Sequence, residues 1–202
     1  MIDNFEQIRS MLEFRSSDDF YFLQILQRKK DVKPDSERKV AGSNNNSRLI
    51  KYYTVYSLEH FDKIKKEVKE LCDLFHARAG INLNRRSYKK TSLHLLKKVT
   101  DQILNKDYQH SIKAYSSVCG TYSNESNKKW ILDIDEPINR SHNEMILFAE
   151  RECEPDGNKF VAVIPSKSGS HIIMNPFNLI KFKQAYPYVE IHKDNPTNLY
   201  IP

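Results

Sequence analysis

The sequence predicts an α+β fold. An N-terminal α/β module over residues 1–125 packs on an antiparallel or mixed sheet over residues 126–202, and the two share one domain. Three observations carry this. Strand-like and helix-like patterns alternate through the first hundred residues as β-β-α-β-α. The second half then follows a β-α-β-β-α-β order, which suits a sheet with helices on one face. The composition, 39% hydrophobic and 29% charged over 202 residues, is that of a globular chain long enough for a compact core.

The elements follow in order. Phe20–Leu26 (FYFLQIL) is aromatic and aliphatic and reads as a strand. Lys29–Ser47 is polar, holds Pro34, Gly42 and three consecutive asparagines, and reads as a loop. Arg48–Tyr56 is a second strand. Ser57 then caps a helix whose apolar positions Leu58, Phe61, Ile64, Val68, Leu71 and Phe75 recur at helical spacing. Ala77–Leu83 is a third strand, Asn84-Arg85-Arg86 a basic turn. Ser87 opens a second helix with Leu93, Leu96, Val99 and Ile103 on its apolar side. A less regular stretch runs through Gly120, and Asn124–Asn127 reads as a turn. In the second half Trp130–Asp135, Phe160–Ile164 and His171–Met174 are strands. Asn143–Arg151 and Asn178–Ala185 are helices, Pro165–Ser170 a small polar loop, and Val189–Ile201 one bent strand or a hairpin interrupted at Asn195-Pro196.

Several classes are excluded. No apolar run is long enough to span a membrane. The opening MIDNFEQIRSMLEF mixes acids and bases without the order of a signal peptide, so the expected location is the cytoplasm. Cys72, Cys119 and Cys153 are few and far apart, which suggests neither a disulfide framework nor a structural zinc site. Cys72 and His76, four apart on a helix, read as a core cysteine and a surface histidine rather than a metal pair. No G-x-S-x-G and no P-loop is present. The net charge of +6 favours polyanionic partners.

The chemically distinctive residues lie in the second half. Asp133 and Asp135 stand two apart on a strand, so both leave the same face while Leu132 and Ile134 take the other. Adjacent carboxylates repel, and a hard divalent cation, Mg²⁺ or Mn²⁺, is one reason for them to meet; two solvated charges at a strand end is the other. Ser166-Lys167-Ser168-Gly169-Ser170-His171 offers small residues, backbone N–H groups and hydroxyls for close approach to a phosphate. Lys167 adds a cation and His171 a donor. A plain surface hairpin is the competing reading. Arg85, Arg86, Lys89 and Lys90 beside Tyr88 form either a patch that tracks a nucleic-acid backbone with one stacking aromatic or a solvated helix end. Arg78 on the preceding strand is placed to face the cleft between the modules.

Together WILDID and SKSGSH resemble the catalytic core of the archaeo-eukaryotic primase superfamily. That core carries a D-x-D strand, then a small-x-His motif on a strand downstream, then a third acid on a later strand. The resemblance covers 128–202 through specific motifs, and 1–125 only through element order. It implies an RRM-like catalytic sheet and template-dependent nucleotidyl transfer, as a primase or DNA polymerase working on NTPs or dNTPs. Asp133, Asp135 and a third acid would hold one or two Mg²⁺ or Mn²⁺ ions. Ser166, Lys167, Ser168, Gly169 and His171 would bind the triphosphate. Glu190, after Val189, fits the third position with Glu where the family usually has Asp; Asp194 is the alternative. Single-stranded DNA template or primer-template is the implied partner. A core this small further implies a larger protein or a helper such as a helicase. Competing functions are an inactive nucleic-acid-binding module on the same fold and a metal-dependent nuclease. A D-x-D glycosyltransferase fits the basic balance less well.

Overall fold

The computed structural model describes residues 1–31, 47–123, 128–135 and 141–202. Most of the expected Lys29–Ser47 loop and the Asn124–Asn127 turn lie outside the described residues. The rest is a mixed α+β fold with two antiparallel sheets and six α-helices.

The first sheet contains β1 (Ile2–Asp3), β2 (Asp19–Arg28), β3 (Ser47–Val55), β4 (Arg78–Asn82), β5 (Arg86–Ser87) and β10 (Pro196–Ile201), in the order β1-β10-β4-β2-β3 with β5 beside the start of β2. Strand β2 is central and buried on both faces, which accounts for its unbroken apolar run. Tyr21, Leu23 and Ile25 join the main core under α1 (Phe5–Arg9) and α2 (Leu58–Phe75). Phe20 and Phe22 face the other way, toward Cys119, Tyr88 and Tyr115. Helix α2 is built as its sequence predicts. Ser57 accepts from the His60 N–H at its start, and Phe61, Ile64, Val68 and Cys72 turn inward. His76 closes it in the left-handed region and is exposed, whereas Cys72 is buried.

Helix α3 (Tyr88–Leu104) is capped by Ser87, which accepts from the Lys90 N–H. Its expected inward face is not buried: Leu93, Leu96 and Ile103 are 60%, 67% and 51% exposed. The rotation of the helix is set elsewhere. Tyr88 stacks on Phe20 with ring centroids 4.4 Å apart, and the Ser87 hydroxyl donates to Asp18. The periodic stripe marks a helix correctly and its buried side wrongly. The stretch expected to be irregular contains α4 (Ala114–Thr121), whose Ala114, Val118 and Cys119 are buried. Its serines and glycine have low helix propensity and hide it in the sequence.

The second sheet contains β6 (Trp130–Asp135), β7 (Phe160–Ser166), β8 (Gly169–Met174) and β9 (Glu190–His192), in the order β7-β8-β6-β9. Helices α5 (His142–Glu152) and α6 (Leu179–Ala185) cover one face, over Leu132, Ile134, Ile172, Met174 and Val189. On the other face Ile131 and Ile173 join the core of the first sheet. The expected Pro165–Ser170 loop is a tight hairpin, with only Lys167 and Ser168 outside the strands. Gly169 is required at its base: a Cβ there would lie 1.9 Å from the Ile134 carbonyl oxygen of β6.

The last segment is neither one bent strand nor a hairpin. Strand β9 pairs with β6, while β10 leaves for the first sheet and pairs with β1 and β4. Residues 196–202 thus belong with the N-terminal sheet, and the boundary at 125/126 does not divide the chain into separate units.

A buried polar hub sets this fork. Arg86 is fully buried. It donates from Nε to the Cys119 carbonyl at 2.8 Å and from Nη1 and Nη2 to both Asp194 oxygens at 3.2 and 3.1 Å. The Asn84 amide donates to the carbonyls of Lys129 and Lys193 at 3.0 and 3.1 Å and to Asp194 Oδ1 at 3.0 Å. Its oxygen accepts from the Lys129 N–H at 2.6 Å. Arg85 is also buried, 3.5 Å from Asp19. The expectation that Arg85 and Arg86 track a nucleic acid is therefore corrected: desolvated arginines need acidic and carbonyl partners, and the fold supplies them from inside.

Removing one member of such a pair strands the other. Arg86→Met should cost about 3–5 kcal/mol in denaturant unfolding. Burial raises the Asp194 carboxyl above its ordinary value, with Arg86 and Asn84 opposing the rise. Without Arg86 that rise grows. A raised carboxyl contributes most below its unfolded value and loses its contribution as pH climbs through the folded one. The loss in Arg86→Met should thus be smaller in acid than at pH 8, and Asp194→Leu in the same chain should restore part of it.

Candidate metal and phosphate site

The second sheet aligns the site by register. Asp133 on the central strand β6 lies directly opposite His171 on β8 and directly opposite Glu190 on β9. Directly paired residues share a face, so these three side chains leave the sheet together. Asp135 follows on the same face, opposite Gly169, and Ile131 precedes it, opposite His192. This face turns toward the first sheet, away from α5 and α6.

Contacts sort the side chains further. His171 Nε2 is 3.4 Å from Asp133 Oδ1, and its Nδ1 is 2.9 Å from the Thr197 hydroxyl on β10. His192 Nε2 is 3.8 Å from Asp133 Oδ2 and 3.6 Å from Glu190 Oε2. Among the described residues, Asp133, Glu190 and His192 bring one ligand atom each to within 4.8 Å of one another. Asp135 stands apart from this group and accepts from the Ser168 hydroxyl at 3.0 Å. Asp194, the alternative third acid, is held by Arg86 and Asn84 and is withdrawn from the site. Burial lowers the His171 imidazole below its ordinary value. Asp133 opposes that shift, and the positive charge of Arg28 and the nearby His192 reinforce it. His171 is therefore neutral near pH 7. Its Nε2 lies 3.4 Å from Asp133 Oδ1 and 3.4 Å from the Asn198 amide nitrogen, while Nδ1 shares a hydrogen bond with the Thr197 hydroxyl.

The acids open into a cleft of about 220 Å³ whose other residues include Arg28, Arg78, Ser166, Lys167, Ser168 and Asn198. Two of its basic groups are tied to one carboxylate. Asp31 accepts from Arg78 and, at 3.2 Å, from Lys167. Burial alone would raise the Asp31 carboxyl, but the bonds and charges of Arg78 and Lys167 outweigh it and hold the group below its usual value. Arg78 is nine-tenths buried, and its Nε has no hydrogen-bond partner among the described residues. Lys89 and Lys90 are exposed on the first turn of α3, and the cleft lining does not include them.

Asp133, Asp135, His171, Ser166, Lys167, Ser168, Gly169 and Arg78 thus gather around one face or cleft, with Glu190 beside Asp133 on the same sheet face. His192 is the residue that sequence reasoning missed. Its signal was present: Glu190-x-His192 has the same two-residue alternation that singled out Asp133-x-Asp135. Arg28 lines the cleft at the end of β2, Asp31 in the turn after it holds Arg78 and Lys167, and Thr197 on β10 meets His171; these long-range contacts leave no local mark in the sequence.

Two carboxylates and an imidazole on one face are a donor set that fits a divalent cation. Without one, Asp133 and Glu190 sit as like charges directly across a strand pair, which is unfavourable. Comparison with known protein families, curated proteins and solved structures finds no match to this chain. Among the described residues no helix is long and apolar enough to cross a membrane.

Asp133→Asn removes the like-charge pair. In EDTA it should be as stable as the wild type or more so, by up to about 1 kcal/mol. Added divalent cation should raise the melting temperature of the wild type and leave that of the variant unmoved. Equal cation-induced shifts in both would remove Asp133 from the ligand set.

Proposed function

We propose that this chain is a metal-dependent nucleotidyltransferase of the primase-polymerase kind, acting on NTPs or dNTPs against a single-stranded DNA template. The observation that carries the reading is the row His171–Asp133–Glu190, three strands wide on one sheet face, whose His171 and Asp133 line a cleft with Arg28, Arg78 and Lys167. The β-α-β-β-α-β order and the β7-β8-β6-β9 arrangement also agree with the RRM-like sheet that the resemblance implies.

The roles follow from position. Asp133 and Glu190 would hold Mg²⁺ or Mn²⁺ with His192 beside them, and Asp135 would be recruited from Ser168. A cation bound there would polarise the α-phosphate and lower the pKa of an attacking 3′-hydroxyl. His171 would present Nε2 to a phosphate oxygen, and Thr197 holds its ring in place. Lys167, Arg78 and Arg28 take the remaining phosphate charge, and the orphaned Nε of Arg78 gains a partner when an anion arrives. The cleft is below the usual size of a small-molecule pocket, so it takes the polyphosphate while base and sugar lie outside. The template would run over exposed basic residues such as Lys89 and Lys90, without Arg85 and Arg86.

The test is incorporation of labelled NTPs or dNTPs on a single-stranded template, with and without primer, in Mg²⁺ and in Mn²⁺. Asp133→Ala should abolish incorporation, and His171→Ala should slow it about 10²-fold or more if it meets charge developing in the transition state. Shortening of the labelled strand instead of extension would identify a nuclease. Binding with neither outcome would identify an inactive module.

A further inference from the structure

We propose that His192 is a metal ligand, and that it makes the site selective for first-row transition-metal cations over Mg²⁺. The inference rests on the metal site of the preceding reading but not on the reaction assigned to it.

Geometry carries it. The Asp133 carboxylate divides its two oxygens: Oδ1 lies toward His171 and Oδ2 toward His192. His192 Nε2 then sits between two acids, 3.8 Å from Asp133 Oδ2 and 3.6 Å from Glu190 Oε2. Ligands bound to one cation at about 2.0–2.2 Å lie roughly 3–3.5 Å apart. The two distances to His192 therefore need to close by only a few tenths of an ångström, and all three ligand atoms already lie within 4.8 Å of one another, with His192 on an edge strand that has one neighbour in the sheet. Imidazole and carboxylates on the same face are a mixed nitrogen and oxygen set. Mg²⁺ prefers hard oxygen ligands and gives up its water reluctantly. Transition-metal ions accept imidazole, with affinity rising from Mn²⁺ through Co²⁺. Asp133 also lines the adjoining cleft, where Arg78, a nine-tenths-buried side chain, has an Nε with no hydrogen-bond partner among the described residues. The rival role for His192 is a histidinium that merely neutralises Asp133 and Glu190. That role predicts no gain in affinity with metals that favour nitrogen.

The experiment is calorimetric titration of the full chain, stripped with EDTA and desalted, with Mg²⁺, Mn²⁺, Co²⁺ and Zn²⁺ and no nucleotide. The wild type should bind Mn²⁺ at least about tenfold more tightly than Mg²⁺, and Co²⁺ and Zn²⁺ more tightly still. Visible absorption of bound Co²⁺ reports the nitrogen ligand directly. His192→Ala should lower Co²⁺ and Zn²⁺ affinity at least about tenfold. His192→Asp, an all-oxygen site, should bring Mg²⁺ to within a few-fold of Mn²⁺. Melting curves check that both variants are folded, and the two substitutions fail in different ways if folding is the problem. Equal wild-type affinity for Mg²⁺ and Co²⁺, or a Co²⁺ spectrum and affinity unchanged in His192→Ala, overturns the proposal. Selective binding without any nucleotide incorporation would sink the transferase reading and leave this one standing. Incorporation supported equally by Mg²⁺ and Mn²⁺ and indifferent to His192 would do the reverse.

Discussion

The buried pair of Arg86 with Asp194, together with Asn84, is the constraint on which the rest of the molecule depends. It stands where three segments must separate. Strand β6 begins directly after Lys129, whose N–H and carbonyl are both bonded to Asn84. Strand β9 ends directly before Lys193, whose carbonyl is bonded to the same side chain. Asp194 then turns the chain out of one sheet and into the other. A fully buried guanidinium is costly unless each of its donors is matched, so the pair tolerates little slippage. Because β6 and β9 start and stop at fixed points, Asp133 meets Glu190 and Ile131 meets His192. A slip of one residue would send the acids to the helix-covered face.

Around that anchor the site is assembled by close approach rather than by flexible loops. Gly169 lets β8 lie against β6 beside Asp135, and the hairpin then places Ser168 on the Asp135 carboxylate. Strand β10 brings Thr197 to the back of His171. Asn4 joins the sheets at the other side, donating to the carbonyls of Pro165 and Asn198 at 3.1 and 2.9 Å. Asp135 and His171 are thus each held by a residue from a distant part of the chain, which suits chemistry that asks mainly for placement.

Much of this was legible from local pattern, and the failures share a cause. The helix caps at Ser57 and Ser87 and most strands are short-range features, and they lie where the sequence puts them. The pairing of Asp133 with Asp135 is also local, because side chains alternate along a strand. What a local pattern cannot reveal is which charges are buried. Asn84-Arg85-Arg86 reads as a solvated basic turn because its partners, Asp19, Cys119 and Asp194, are distant in sequence. Helix α3 fails in the opposite sense: its leucine stripe reads as core, but Tyr88 and Ser87 fix the helix with that stripe outward. His192 was missed because a histidine at the end of a short edge strand gains meaning only when β9 is paired to β6.

Charge in the cleft is divided between two walls. Asp133 and Asp135 form one, with Glu190 and His192 grouped beside Asp133, and Arg28, Arg78 and Lys167 belong to the other, with Asp31 holding Arg78 and Lys167. A cation alone would relieve the first wall and leave the second unchanged. An anion alone would meet the second wall and be repelled by the acids of the first. A polyphosphate that chelates a cation answers both, so the two walls favour the chelate over either part. Asp31 limits how tightly such a ligand binds, because the phosphates must compete with a carboxylate already seated on Arg78 and Lys167. That competition keeps the basic side chains in place while the cleft is open.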